Sequence, residues 1–173
     1  FTPRALHSLL SYTTIPQLSA ENVQRGQSPY KRGTRLGSEI LQITDDGTLP
    51  GGICTSKMDG EGVAKQRTKV VESGIIKNFL YDTYTAYKEG IESTGNATRG
   101  YATLPRIDAT NFIIGGTNCK KEEMLGGWGR PQLLATDVIG AHTAHRASGD
   151  FSVLIHNGFL VEKGEMKAVK GAM

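Results

Sequence analysis

The spacing of apolar residues changes once along this chain. In the opening stretch Leu6, Leu9 and Leu10 recur at helical intervals behind Thr2-Pro3, a pair that reads as an N-cap followed by proline at the first helical position. Pro16 is expected to end that helix. Ser19 is expected to cap a shorter one through Ala20, Glu21, Asn22 and Val23, with Gly26 closing it. After a polar connection carrying Gly26, Pro29, Gly33 and Gly37, the pattern turns to alternation. Glu39 to Thr44 reads as a strand, Asp46-Gly47 as a positive-φ turn, and Pro50-Gly51-Gly52 as a second turn. Lys65 to Val71 and Gly74 to Asp82 read as two strands of a hairpin turning at Glu72-Ser73-Gly74. The second is so apolar, with Ile75, Ile76, Phe79, Leu80 and Tyr81, that both faces are expected to be covered.

Thr83 to Glu89 then reads as a short helix stopped by Gly90, and Lys120 to Leu125 as another. Further strands are expected at Asn111 to Ile114, Leu133 to Ile139, Phe151 to His156 and Phe159 to Val161, with a turn at Glu162 to Glu165 leading into a last strand ending at Val169. Strand runs with few, mostly amino-terminal helices predict an α+β fold: a β-rich antiparallel or mixed sheet with a few short helices. Regular helical crossovers, which a doubly wound parallel sheet needs, are missing. Residues 1–173 are expected to form one domain, with a helical lead-in over 1–35 and a β-rich body over 36–173. The chain opens on Phe1 without an initiator methionine and stops at Met173 just past a strand-like run, so it is expected to be a piece of a longer protein.

Composition narrows the function classes. With 38% apolar and 21% charged residues the chain falls in the globular range. No apolar run approaches the roughly 20 residues that span a bilayer and no signal-peptide pattern is present, so a soluble protein with no membrane partner is expected. Cys54 and Cys119 stand far apart with no C-x-x-C, which suggests neither a disulfide framework nor a zinc knuckle and fits a cytoplasmic setting. The net charge of +3 is spread along the chain without a basic stripe, which argues against nucleic acid as a partner.

The chemistry-bearing residues are few. None of the four histidines, His7, His142, His145 and His156, sits in an H-E-x-x-H helix, whose spacing puts two imidazoles and a general base on one face. His142 and His145, three apart in a loop-like stretch, form an alternative metal pair, set against a surface or hydrogen-bonded pair. Ser148, His145 and Asp150 supply triad residue types within a few positions, but triads are assembled from separated segments and no G-x-S-x-G elbow exists. The Gly51-Gly52 and Gly60-Gly62 loops match no phosphate-binding fingerprint, so turn and bulge roles are expected for their glycines. Asp59-Gly60-Glu61-Gly62 offers two acids on a glycine loop, suited to a peptide amine or a cation or simply to a solvated turn.

One continuous string, GTLPGGICTSKMDGEGVAKQRTKVVESGIIKNFLYDTYTAYKEGIESTG from Gly47 to Gly95, resembles the carboxyl-terminal region of the TldD/PmbA peptidase family. The resemblance resumes at ATNFIIGG (Ala109 to Gly116), GAHTAHRASGDFSV (Gly140 to Val153) and GEMKAVKG (Gly164 to Gly171), in the same order. It implies a β-rich carboxyl-terminal domain packed against an amino-terminal α+β part. TldD-type members resemble zinc peptidases with an H-E-x-x-x-H segment; PmbA-type members, also called TldE, lack it and pair with TldD. The corresponding stretch here is Leu9 to Pro16, placing Ser11, Tyr12 and Pro16 where histidine, glutamate and histidine would stand. No shift of a residue or two supplies the missing ligands. SGDFS at Ser148 to Ser152 also resembles the PmbA version.

The resemblance therefore implies a metal-free PmbA/TldE-like subunit of a zinc metallopeptidase acting on short or unfolded peptides. It would have no catalytic residue of its own; zinc would be held by a TldD-like partner, and the assembly would be a heterodimer, or a homodimer of this chain. Asp59, Gly60, Glu61 and Gly62 are the candidate peptide-binding residues. Two other readings stay open: a self-sufficient metallopeptidase using His142, His145 and an acid such as Asp150, and a peptide-binding regulatory module without proteolysis.

Overall fold

Thr2 starts the first element: its hydroxyl oxygen accepts from the Ala5 N–H while Pro3 takes the first helical position of α1 (Pro3–Tyr12). This computed structural model describes residues 1–116, 120, 123, 125, 130–145, 148, 150–162 and 164–169. α1 ends earlier than Pro16, with Thr13 as its C-cap, whose N–H and hydroxyl both reach the Leu9 carbonyl, at 3.1 and 2.9 Å. Pro16 instead lies within the single turn α2 (Thr14–Gln17), where a missing N–H breaks no bond. Ser19 does precede α3 (Ala20–Gln24), but its side chain makes no capping bond. Its backbone pairs in parallel with Leu80.

The chain divides into two compact units, one of Phe1–Ile15 with Asn118–Met173 and one of Pro16–Thr117. In the first, an antiparallel sheet runs in the order β7 (Gln132–Ile139), β8 (Leu154–Glu162), β9 (Glu165–Val169). α1 packs on β7 through Ala5, which is buried with Ala135 and Val138. The Thr2 hydroxyl ties the start of the helix to the Thr136 carbonyl at 3.0 Å. The strands expected at Phe151 to His156 and Phe159 to Val161 are one element, β8. Gly158 allows this: a Cβ there would meet the Leu134 carbonyl oxygen at 3.1 Å, beside the register shift between Ala135 and Asp137. The helix expected at Lys120 to Leu125 lies largely outside the described residues, as do Cys119, Lys163 and Lys170 to Met173.

The second unit holds a four-stranded antiparallel sheet in the order β3 (Ile75–Ile76), β2 (Arg67–Glu72), β1 (Gln42–Asp46), β6 (Phe112–Gly115). It also holds a small pair, β4 (Ala97–Thr98) with β5 (Arg106–Ile107), that the sequence pattern did not announce, and the helix α4 (Thr83–Glu89). α4 is bounded as its residues dictate: Asp82 and Thr85 form a reciprocal capping box, and Gly90 closes it at φ 66°. β1 extends through Asp45 and Asp46, so the positive-φ turn expected at Asp46-Gly47 does not form there. Gly47 serves a different need, since a Cβ would come within 2.9 Å of the Lys65 side chain. The left-handed position of this loop is Gly51.

The strand expected over Gly74 to Asp82 is the largest departure. Only Ile75 and Ile76 join the ladder, at its edge. Lys77 and Asn78 both aim their N–H groups at the Val70 carbonyl, at 2.8 and 3.3 Å, and the chain leaves the sheet. Leu80 then donates to the Leu18 carbonyl and accepts from the Ala20 N–H, each at 2.9 Å. The side chains are nonetheless covered on all sides: Ile76, Phe79, Leu80 and Tyr81 lie in one core cluster with Leu18, Ile43, Val70 and Val71. With Phe79 only 2% exposed, Phe79→Ala is expected to cost about 3–5 kcal/mol and lower the thermal midpoint accordingly. A midpoint equal to the parent's would refute the packing.

Candidate functional site

Each unit carries candidate residues, and each set has its own geometry. On α1, Ser11 sits one turn beyond His7, and its hydroxyl donates to the His7 carbonyl at 2.8 Å. The Ser11 oxygen also lies 3.2 Å from His7 Nδ1. Tyr12 meets the His142 ring edge-on, with centroids 6.4 Å apart. His142 comes from the short 3-10 turn Ala141–Thr143, which follows β7 through Gly140 at φ 96°. Serine, tyrosine and proline at these places offer no imidazole pair and no carboxylate, so they do not fit a tetrahedral zinc site.

His145, Ser148 and Asp150 do come together, but not as a catalytic relay. His145 Nδ1 accepts from the Ser148 N–H at 3.2 Å, and the Ser148 hydroxyl donates to Asp150 Oδ2 at 2.7 Å. The His145 N–H donates to the Asp150 carbonyl at 2.8 Å, which closes the turn. A working triad needs the acid on the far imidazole nitrogen and the base poised to take the serine proton. Here the Ser148 oxygen does lie 3.0 Å from His145 Nδ1, but the acid is bonded to the serine rather than to the far imidazole nitrogen, and all three side chains are exposed. Among the described residues no group of three or more His, Cys, Asp or Glu side chains is arranged around a common point.

In the other unit, the Asp59 to Gly62 loop is tightly fastened. Asp59 Oδ1 accepts from the N–H groups of Glu61 and Val63, each at 2.9 Å, and Oδ2 from that of Ala97 at 3.0 Å. Gly60 lies so close to β4 that a Cβ would approach the Arg99 nitrogen to 3.1 Å, and its own N–H donates to the Ala97 carbonyl. Glu61 Oε2 accepts from the Thr83 N–H at 2.8 Å, satisfying an amide in the first turn of α4 that has no partner within the helix. The two acids thus clip β4 and α4 together through backbone amides.

Two polar clusters in this unit escaped the sequence reading. Asp45 is buried; its Oδ1 accepts from the Thr110 N–H, and its Oδ2 from the Thr110 hydroxyl and Asn96 Nδ2, at 2.7 to 2.8 Å. The Tyr81 hydroxyl donates to Glu89 Oε2 at 2.8 Å and receives Arg32 Nη2 at 2.9 Å. Burial holds the phenol above its ordinary range; the Arg32 guanidinium opposes that shift and Glu89 adds to it. Nothing in the residue pattern marks Asp45 or Tyr81 for these roles, because their partners are brought in from distant segments.

Comparison with known proteins supplies what local geometry does not. The sequence pattern of the PmbA/TldA metallopeptidase C-terminal domain matches residues 1–173. An uncharacterized protein of Methanocaldococcus jannaschii is 44% identical over 99% of this chain and 41% of its own length. The zinc metalloprotease TldD homolog of Saccharolobus solfataricus is 30% identical over 92% of the chain and 36% of its own length. The crystal structure of TldE from Thermococcus kodakarensis superposes with a TM-score of 0.87 at 30% identity, over 98% of this chain and 38% of that one. The chain thus spans about two fifths of the length of these relatives, and identity to a TldD homolog and to a TldE is the same.

If Asp59 is the clip that the geometry indicates, Asp59→Ala strands three backbone donors and is expected to destabilise the protein by about 1–3 kcal/mol, whereas Glu61→Gln, which keeps an acceptor for Thr83, stays within about 0.5 kcal/mol of the parent. Denaturant midpoints measured side by side check the pair, and equal midpoints would remove the clip.

Proposed function

The chain belongs to the PmbA/TldD metallopeptidase family, spanning its C-terminal domain, and from that premise we propose that it is the PmbA/TldE-like half of a cytoplasmic zinc metallopeptidase that processes short or unfolded peptides. The observation that carries this reading is the stretch from Leu9 to Pro16. Ser11, Tyr12 and Pro16 stand where a TldD-type member carries its two histidines and glutamate, and Ser11 is committed to its own helix by the bond to the His7 carbonyl. A chain without those ligands contributes chamber wall and peptide contacts, while zinc and its activated water belong to a TldD-like partner. The fastened Asp59 to Gly62 loop is assigned to the peptide-lining surface of that chamber. No helix among the described residues is long and apolar enough to cross a membrane.

Partner dependence tests the reading. The full-length protein, purified alone and dialysed, is expected to hold far less than one zinc per chain and to leave unstructured peptides intact. Mixed with a TldD-like subunit it is expected to support cleavage that chelators abolish. Stoichiometric zinc lost in a His142→Ala/His145→Ala variant, or robust hydrolysis by the isolated chain, would favour the self-sufficient metallopeptidase instead. The loop assignment is checked separately. Glu61→Gln keeps an acceptor oxygen for the Thr83 N–H and removes the loop's second charge, and is expected to raise KM of the mixed complex several-fold at unchanged zinc content. Unaltered kinetics in that variant would reject the loop and leave the partner reading standing.

A further inference from the structure

We draw no further inference here: the strongest candidate, the pair of loops beside the Asp59 clip that hold Ile53 and Met58 on one and Tyr101 and Leu104 on the other out in solvent, is an unpartnered apolar surface patch, and nothing in the structure shows what covers it.

Discussion

The Pro16–Thr117 unit depends on how Leu80 is held. Its N–H and carbonyl are clasped between Leu18 and Ala20, a parallel bridge made by two segments far apart in sequence. That clasp pulls the chain off the ladder after Ile76 and drives Phe79, Leu80 and Tyr81 into the core, where a continued edge strand would have left alternate side chains in water. Its neighbours radiate from the same point. The Tyr81 N–H donates to the Thr94 hydroxyl, the Tyr81 carbonyl accepts from the Asn96 N–H, and Asp82 caps α4. Because the buried backbone groups here are satisfied by side chains and by loops rather than by strands, loss of one partner leaves a donor or acceptor stranded in the interior, which costs more than the bond itself contributes.

A second constraint is the buried Asp45 carboxylate on β1. It is compensated by the Thr110 N–H, the Thr110 hydroxyl and the Asn96 amide, all neutral donors. Asn96 in turn donates to the Asp108 carbonyl, so the approach to β6 and the approach to β4 are both referred to one side chain. Placing a carboxylate in a sheet interior is expensive unless both oxygens are hydrogen-bonded, and three donors shared over Oδ1 and Oδ2 meet that condition. It also fixes where Thr110 and Asn111 sit, and so the register with which β6 meets β1.

What the sequence made legible follows from how local each feature is. α1 and α4 were readable because Thr2-Pro3, Asp82-Thr85 and Gly90 are signals contained within a few residues. β2, β7 and β9 were readable because alternation and turn glycines are also local. The apolar run from Ile75 to Tyr81 announced burial correctly and geometry wrongly, since apolarity says that a segment is covered but not by which element. The β4–β5 pair, two residues on each side, is too short to leave a periodic trace. Pro16 misled because a proline ends a helix only when the next turn does not restart behind it. At the candidate site, the roles of Asp59 and Glu61 depend on amides of Ala97 and Thr83 that no spacing rule connects to them.

Those roles bear on what kind of protein this is. A reactive carboxylate or imidazole must keep a lone pair or a proton available for substrate, which means leaving part of its hydrogen-bonding capacity unspent in the resting fold. Here the opposite holds. Asp59 is used by three backbone amides, Asp150 by a serine, His145 Nδ1 by a turn amide, and Ser11 by its own helix. Side chains of the types that could catalyse are employed in fixing loops and turns.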